Sequence, residues 1–335
     1  MCSTGGVHQT GTLLPRLLTL LLLLISAVPS TRSAPLGAAR VEGVTRLRAE
    51  PVVLDPESPA RRRFGALTFL GGWALASADP RFGGISGLSV ERDGLLAISD
   101  AGTVMHIGFA DGRPAALRLH GLPDGPGSPT RKADRDTEAL AADAATGRHW
   151  IAFEQHHQIW RYAAGFARAE AHARIPHAGA WRNNGGAEAL ARLPDGRTLA
   201  ISEGRPGPGG TADLLLFQGD PAAARTPVRR LRYRPPGSYR VTDAAMLDGT
   251  RLLVLHRRFS LAEGVGALLG VIDLRALDGD SVVSPRVLAE WGPQLAIDNM
   301  EGLAVAREGG RTVVWLASDD NFNALQRTLL LKFAL

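Results

Sequence analysis

The sequence predicts an all-β fold, a β-propeller of five or six blades closed by an N-terminal strand. Two observations predict it. Five segments share one pattern at a period of 50–58 residues, and each period divides into short apolar strands separated by Gly-containing turns. No stretch carries a convincing helical period, and four-stranded units repeated radially protect their own edges by closing into a ring.

The repeats begin at Gly84, Asp136, Gly186, Val241 and Met300. Taking Ser86, Glu138, Glu188, Asp243 and Glu301 as equivalent gives separations of 52, 50, 55 and 58 residues. Turns fall at Asp93-Gly94, Thr146-Gly147, Asp195-Gly196, Asp248-Gly249 and Gly309-Gly310. Third strands are expected near Thr103, Gln158, Asp213 and Ala267, and fourth strands near Ala116, Ala169, Val228 and Arg286. The last repeat lacks a fourth strand before Leu335, so Phe64–Leu70 is expected to supply it. Five repeats are visible, and a sixth blade would need residues 35–63.

The chain divides into three parts. Residues 1–34 read as a cleaved signal peptide: Leu17 to Val28 is apolar, too short for the roughly 20 residues of a spanning helix, and small residues follow from Ser30 to Ala34. Residues 35–63 read as a lead-in strand or linker, and 64–335 as the propeller. The expected location is secreted or periplasmic, with no membrane attachment after cleavage. Cys2 is the only cysteine and lies in the leader, which excludes disulfides, thiolate metal sites and a Cys nucleophile from the mature chain. The net charge is +5, and the densest cationic clusters, Arg61-Arg62-Arg63 and Arg229-Arg230, are short, so no nucleic-acid partner is expected. A monomer is expected. No Gly-x-Ser-x-Gly elbow or Walker-type loop is present.

The chemistry lies in the hairpins. Folding each repeat about its turn brings Ser86 to Asp100, Glu138 to Glu154, Glu188 to Glu203, Asp243 to His256-Arg257, and Glu301 to Ser318-Asp319-Asp320. If these strands are innermost, the acids share one mouth of the central channel. Paired carboxylates require a proton or a cation between them. Ca²⁺ suits an irregular all-oxygen set, and Asp298-Asn299, Asn183-Asn184 and Asp319-Asp320-Asn321 place further oxygens nearby. A single acid at a strand start also serves turn amides or a neighbouring Arg, and His156, beside His157, serves the surface as readily as chemistry. His149, His177 and His256 have no distinguishing spacing, and the six Trp suit packing between blades.

The segments Gly84-Ile-Ser-Gly-Leu-Ser89, Asp136-Thr-Glu-Ala-Leu140, Phe153-Glu-Gln-His-His-Gln-Ile-Trp-Arg-Tyr162, Asn183-Asn-Gly-Gly-Ala-Glu-Ala-Leu190, Val241-Thr-Asp243, Arg257-Arg-Phe-Ser260, Ile297-Asp-Asn-Met-Glu-Gly-Leu303 and Ser318-Asp-Asp-Asn-Phe-Asn323 occur in order. Together they resemble the family called esterase-like activity of phytase, from about Phe64 to Leu335. The resemblance implies an exported propeller with phosphoesterase or esterase activity. His256-Arg257 and Ala244-Ala245 depart from the family pattern. The expected function is a Ca²⁺-dependent hydrolase of phosphate esters or other small-molecule esters. Glu138, Glu188, Glu301, Asp243 and Asp319 are the expected metal ligands. Arg257 would hold a phosphate, and Glu154, Glu203 or His156 would act as base. Two rivals are a non-catalytic binding propeller of the cell envelope and, by fold analogy, a sugar-lactone hydrolase.

Overall fold

The computed structural model describes residues 43–181, 185–204, 210–279 and 282–335. Residues 1–34, read above as a leader, and Asn183-Asn184 lie outside them. The described chain forms five antiparallel sheets arranged in a ring, a five-bladed β-propeller. The innermost strands are Ile85–Glu91, Thr137–Asp143, Ala187–Arg192, Arg240–Met246 and Asn299–Glu308. Each packs on the next, and the fifth packs on the first, so the ring closes.

Sequence explains the blades locally. The second strand of the third blade, Thr198–Ser202, is buried at every position because neighbouring blades cover both its faces. The fourth strand of the same blade, Val228–Tyr233, carries Arg229, Arg230 and Arg232 toward solvent. Five separate apolar clusters fill the five gaps between adjacent blades. Among the described residues the only α-helix is one turn, Ala276–Gly279.

The ring is closed as the missing fourth strand implies. Leu67–Ala76 pairs antiparallel with Thr328–Ala334, from Thr68 opposite Ala334 to Leu75 opposite Thr328. The lead-in segment adds a second clasp. Thr45–Arg46 pairs with the outer strand of the first blade, and Arg48–Pro51 pairs with the closing strand of the fifth. Leu47, between them, is buried in the apolar cluster joining those two blades.

All five innermost hairpins share one register and one irregularity. Ile85, Thr137, Ala187, Val241 and Met300 pair with Ser99, Phe153, Ser202, His256 and Ser318. Pairing then skips one residue and resumes at Gly87, Ala139, Ala189, Asp243 and Gly302. The skipped residues, Ser86, Glu138, Glu188, Thr242 and Glu301, therefore stand in a β-bulge at the same mouth of the channel, and a bulge re-aims the side chain it carries. One mouth thus collects the bulge residues together with Asp100, Glu154, Glu203, Arg257 and Asp319, which follow the paired ends of the second strands.

The closing strand should carry a measurable share of stability. Phe69 is buried and packs on Phe333 with ring centroids 5.5 Å apart. Phe69→Ala should cost about 3–5 kcal/mol in chemical denaturation. Leu70→Ala, at an exposed position of the same strand, should stay within about 0.5 kcal/mol.

Candidate active site at the channel mouth

The bulge corrects the hairpin partners expected from simple folding about each turn. Glu154 lies opposite Asp136, its amide donating to the Asp136 carbonyl at 2.9 Å, and not opposite Glu138. Asp100 lies opposite Gly84, and Glu203 opposite Gly186, by the same bond. Arg257 pairs with Arg240, and Asp319 with Asn299. In the fourth blade Thr242, not Asp243, is equivalent to Glu138, and its hydroxyl donates to the Met300 carbonyl at 3.1 Å.

The carboxylates do converge. Asp136, Glu138 and Glu154 each present an oxygen within 4.8 Å of the other two. Asp136 was not singled out from the sequence, although it stands two residues before Glu138, just ahead of the strand Thr137–Asp143. Burial pushes Glu138 well above the ordinary glutamate range, and Glu188, Glu301, Asp136 and Glu154 add to the shift by repulsion. Glu188 is raised in the same way, by burial and then by Glu203, with Arg257 opposing. Glu154 is pushed up to about 7 by burial and Asp136, while a hydrogen bond from Gln155 at 2.9 Å opposes the rise. Glu154 also lies against the next blade: a Cβ on Gly186 would come within 3.0 Å of its Cγ, so a residue without a side chain makes room for it.

Part of the ring is already balanced. Lys132 bridges Asp100 Oδ2 at 2.7 Å and Asp136 Oδ1 at 3.2 Å. Burial pulls its ammonium down, but those two carboxylates hold it above its ordinary range. Arg240 pairs with Glu203. Arg257 Nε lies 3.3 Å from Glu301 Oε1, and its Nη1 donates to Asn299 Oδ1 at 2.8 Å. Asn299 Nδ2 in turn donates to Glu301 at 2.9 Å and to Asp319 at 3.3 Å. Asp319 is still raised well above the aspartate range by burial and by Glu301. Among the described residues, Glu138, Glu154 and Glu188 have no Lys or Arg in ion-pair contact. The Oδ1 atom of Asp100 is buried without a hydrogen-bond partner.

Two expected residues stand elsewhere. His156 Nε2 lies 2.8 Å from Asp134 Oδ1, in the loop before the second blade, so its ring nitrogen is taken there. Asp243 occupies the register position at which the other blades carry Gly87, Ala139, Ala189 and Gly302. Its carboxylate turns into the space those small residues leave, accepting from Leu303 N and Ala244 N at 2.7 Å each and from the Leu88 amide. Leu88 belongs to the first blade, which does not adjoin the fourth, so Asp243 reaches across the axis and stoppers the channel. Burial pushes its carboxyl well above the aspartate range, and those amides oppose the rise. His256, beside Arg257, is internal: its Nε2 meets Tyr233 Oη at 2.8 Å, and burial pulls its pKa to about 4. Asp298 and Asp320 hold loops, accepting from the Arg327 amide at 3.2 Å and the Gly84 amide at 2.9 Å.

The residues fit a hard cation. The donor set is all oxygen, it is carboxylate-rich without a matching set of side-chain cations among the described residues, and one buried oxygen is orphaned.

The sequence matches the family described as Phytase-like, esterase-like activity of phytase, over residues 80–322. No curated protein matches it. Among solved structures, Myxococcus xanthus glutaminyl cyclase is 12% identical, with 76% of this chain and 92% of that one covered at a TM-score of 0.47. The Malassezia sympodialis allergen Mala s 1 is 13% identical, with 82% and 91% covered at 0.40. The Neurospora crassa Pan2 WD40 domain is 10% identical, with 89% and 97% covered at 0.39. No functional reading rests on these three.

Two outcomes follow from the site's electrostatics. Glu154 binds its proton more tightly folded than unfolded, so its contribution is fully present below the unfolded value near 4.5 and is lost as pH rises through about 7. The melting temperature of chelator-treated protein should therefore fall across that window, and Glu154→Gln should flatten the fall. Asp243→Ala should cost about 1–3 kcal/mol in denaturant, by stranding buried amides, yet leave Ca²⁺ affinity measured by calorimetry unchanged. A loss of affinity would return Asp243 to the ligand set.

Proposed function

The chain belongs to the phytase-like family, and from that membership we propose that it is a Ca²⁺-dependent hydrolase of phosphate esters or other small-molecule esters at this channel mouth. The observation that carries the proposal is the approach of Asp136, Glu138 and Glu154 within 4.8 Å, without a Lys or Arg beside Glu138 or Glu154 among the described residues. In this reading Asp136 and Glu138 hold the cation, with Glu188 adding its charge from the third blade. A bound Ca²⁺ supplies polarisation of the ester oxygen and charge neutralisation.

The chain's own residues have separable tasks. Glu154, set near neutrality, takes a proton from water at one of its carboxylate oxygens, because a base works best close to its own pKa. Arg257 stands on the opposite side of the ring, fixed by Glu301 and Asn299, and offers a planar donor to an anionic substrate group. Glu203, paired with Arg240, positions that arginine and is not the base. The hairpin formed by Arg251–Ser260 and Gly264–Asp273 runs three residues past Arg257 before it turns, so it stands above the mouth. Phe259 and Leu261 are exposed on it, where they suit an apolar substrate portion. With residues 1–34 read as a leader, the enzyme works after export.

Metal analysis of untreated protein, followed by a phosphoester, carboxylester and lactone panel with and without chelator, tests the proposal. The expected result is bound Ca²⁺ and chelator-sensitive turnover that Glu138→Gln lowers by about 100-fold or more, a loss of roughly 3 kcal/mol in transition-state stabilisation. Ca²⁺ binding with no turnover of any substrate class would leave a non-catalytic ligand-binding propeller instead.

A further inference from the structure

The carboxylate mouth carries a cation of its own that a metal ion would meet. Lys132 opens a single 3₁₀ turn, Lys132–Asp134, in the loop leading into the second blade. The base of that turn is fixed. Asp134 accepts from the Ser128 amide at 2.8 Å and lies 2.8 Å from His156 Nε2. Arg135 Nη1 donates to the Asp134 carbonyl at 3.0 Å. The lysine side chain itself is 49% exposed, although the two carboxylates it meets are 17% and 16% exposed. Its stem is anchored and its head is free to move.

That head and a bound cation draw on the same oxygens. Lys132 Nζ lies 2.7 Å from Asp100 Oδ2 and 3.2 Å from Asp136 Oδ1. Asp136 is also one of the three carboxylates that present oxygens within 4.8 Å of one another. An ammonium and a divalent ion on one carboxylate repel each other, and each weakens the other's attraction to it. Asp136 stands four residues after Lys132, so the ammonium is tethered beside it and is not recruited from solution.

The residue type fits a displaceable partner. Of the 38 Lys and Arg residues, only Lys132 and Lys332 are lysines. The other cations paired with acids of the mouth are Arg240 and Arg257. A guanidinium is a planar fork suited to gripping a carboxylate through two donors, whereas an ammonium is a point charge on a flexible stem. Lysine stands where the partner carboxylate also belongs to the metal-ligating set.

We propose that Lys132 is a tethered competitor for the cation site. It holds Asp136 in the absence of metal, and a divalent cation displaces it from that carboxylate while it keeps Asp100. Lys132 thereby sets the Ca²⁺ level at which the mouth fills. The divalent ion prevails because it carries two charges and also draws on Glu138 and Glu154, whereas a monovalent ion offers no gain in charge over the ammonium. This inference rests on the carboxylate mouth being a Ca²⁺ site, as the proposed function requires.

Calorimetric titration of chelator-treated full-length protein with Ca²⁺, comparing wild type with Lys132→Met and Lys132→Arg, tests the competition. Lys132→Met, which removes the competing charge, should bind Ca²⁺ roughly tenfold or more tightly than wild type. Lys132→Arg keeps the charge and should stay within about threefold of wild type. A crystal structure of the Ca²⁺-loaded wild type should show Lys132 Nζ beyond about 4 Å from both Asp136 oxygens, outside ion-pair range, and still bonded to Asp100. The proposal is overturned if Lys132→Met binds Ca²⁺ no more tightly than wild type, which would make the lysine a support for Asp136. It is equally overturned if the Ca²⁺-loaded structure keeps Lys132 on Asp136. Absence of Ca²⁺ binding in both proteins overturns it together with the hydrolase reading. Tighter binding in Lys132→Met without turnover of any ester supports the competition and sinks the hydrolase reading alone.

Discussion

Five innermost strands must close a ring around a narrow axis, and the charges they carry at one end must be neutralised there. The shared bulge fixes this constraint: it delivers Ser86, Glu138, Glu188, Thr242 and Glu301 to one level of the channel. Carboxylates brought together by strand geometry cannot separate to relieve repulsion, because interblade cores hold every strand. Lys132, Arg240 and Arg257 relieve it for Asp100, Glu203 and Glu301. The second and third blades keep Glu138, Glu154 and Glu188 without such help among the described residues, and that imbalance is what makes this sector of the ring receptive to a cation.

Asp243 shows how one residue changes what a propeller channel is. Four blades place Gly or Ala beside the axis, which would leave a bore. The fourth places a carboxylate that takes amides from its own, the fifth and the first blade. The bore becomes two cups, and the oxygen donors gather in one of them. The difference between an open ring and a stoppered one is a matter of side-chain volume at one of five equivalent positions, not of backbone design.

The architecture was legible because repetition is a property of the sequence itself. Period, turns, outer strands and the closing strand near Phe64 all followed from it, and the fold now limits the count to five blades. The register of the site was not legible. An extra residue in each innermost strand shifts every partner past it, so Glu154 meets Asp136, and the acid of Val241-Thr-Asp243 was matched to glutamates when its neighbour Thr242 is their equivalent. Comparing the small residue and Leu that follow each bulge (Gly87-Leu88, Ala139-Leu140, Ala189-Leu190, Gly302-Leu303) would have revealed the offset. The attachment of His156 to Asp134 and the Lys132 bridge depend on loops, which no local pattern encodes.

Cation binding at the mouth must displace the protons that burial and mutual repulsion keep on these acids. Calorimetry of Ca²⁺ binding at pH 6.5 to 7 (a range set by the value near 7 for Glu154), repeated in buffers of different ionisation enthalpy, measures that displacement directly. Release of protons on binding, reduced in Glu154→Gln, is the predicted result. Binding without proton release, or none at all while the protein stays folded, would contradict the claim that a cation balances this ring.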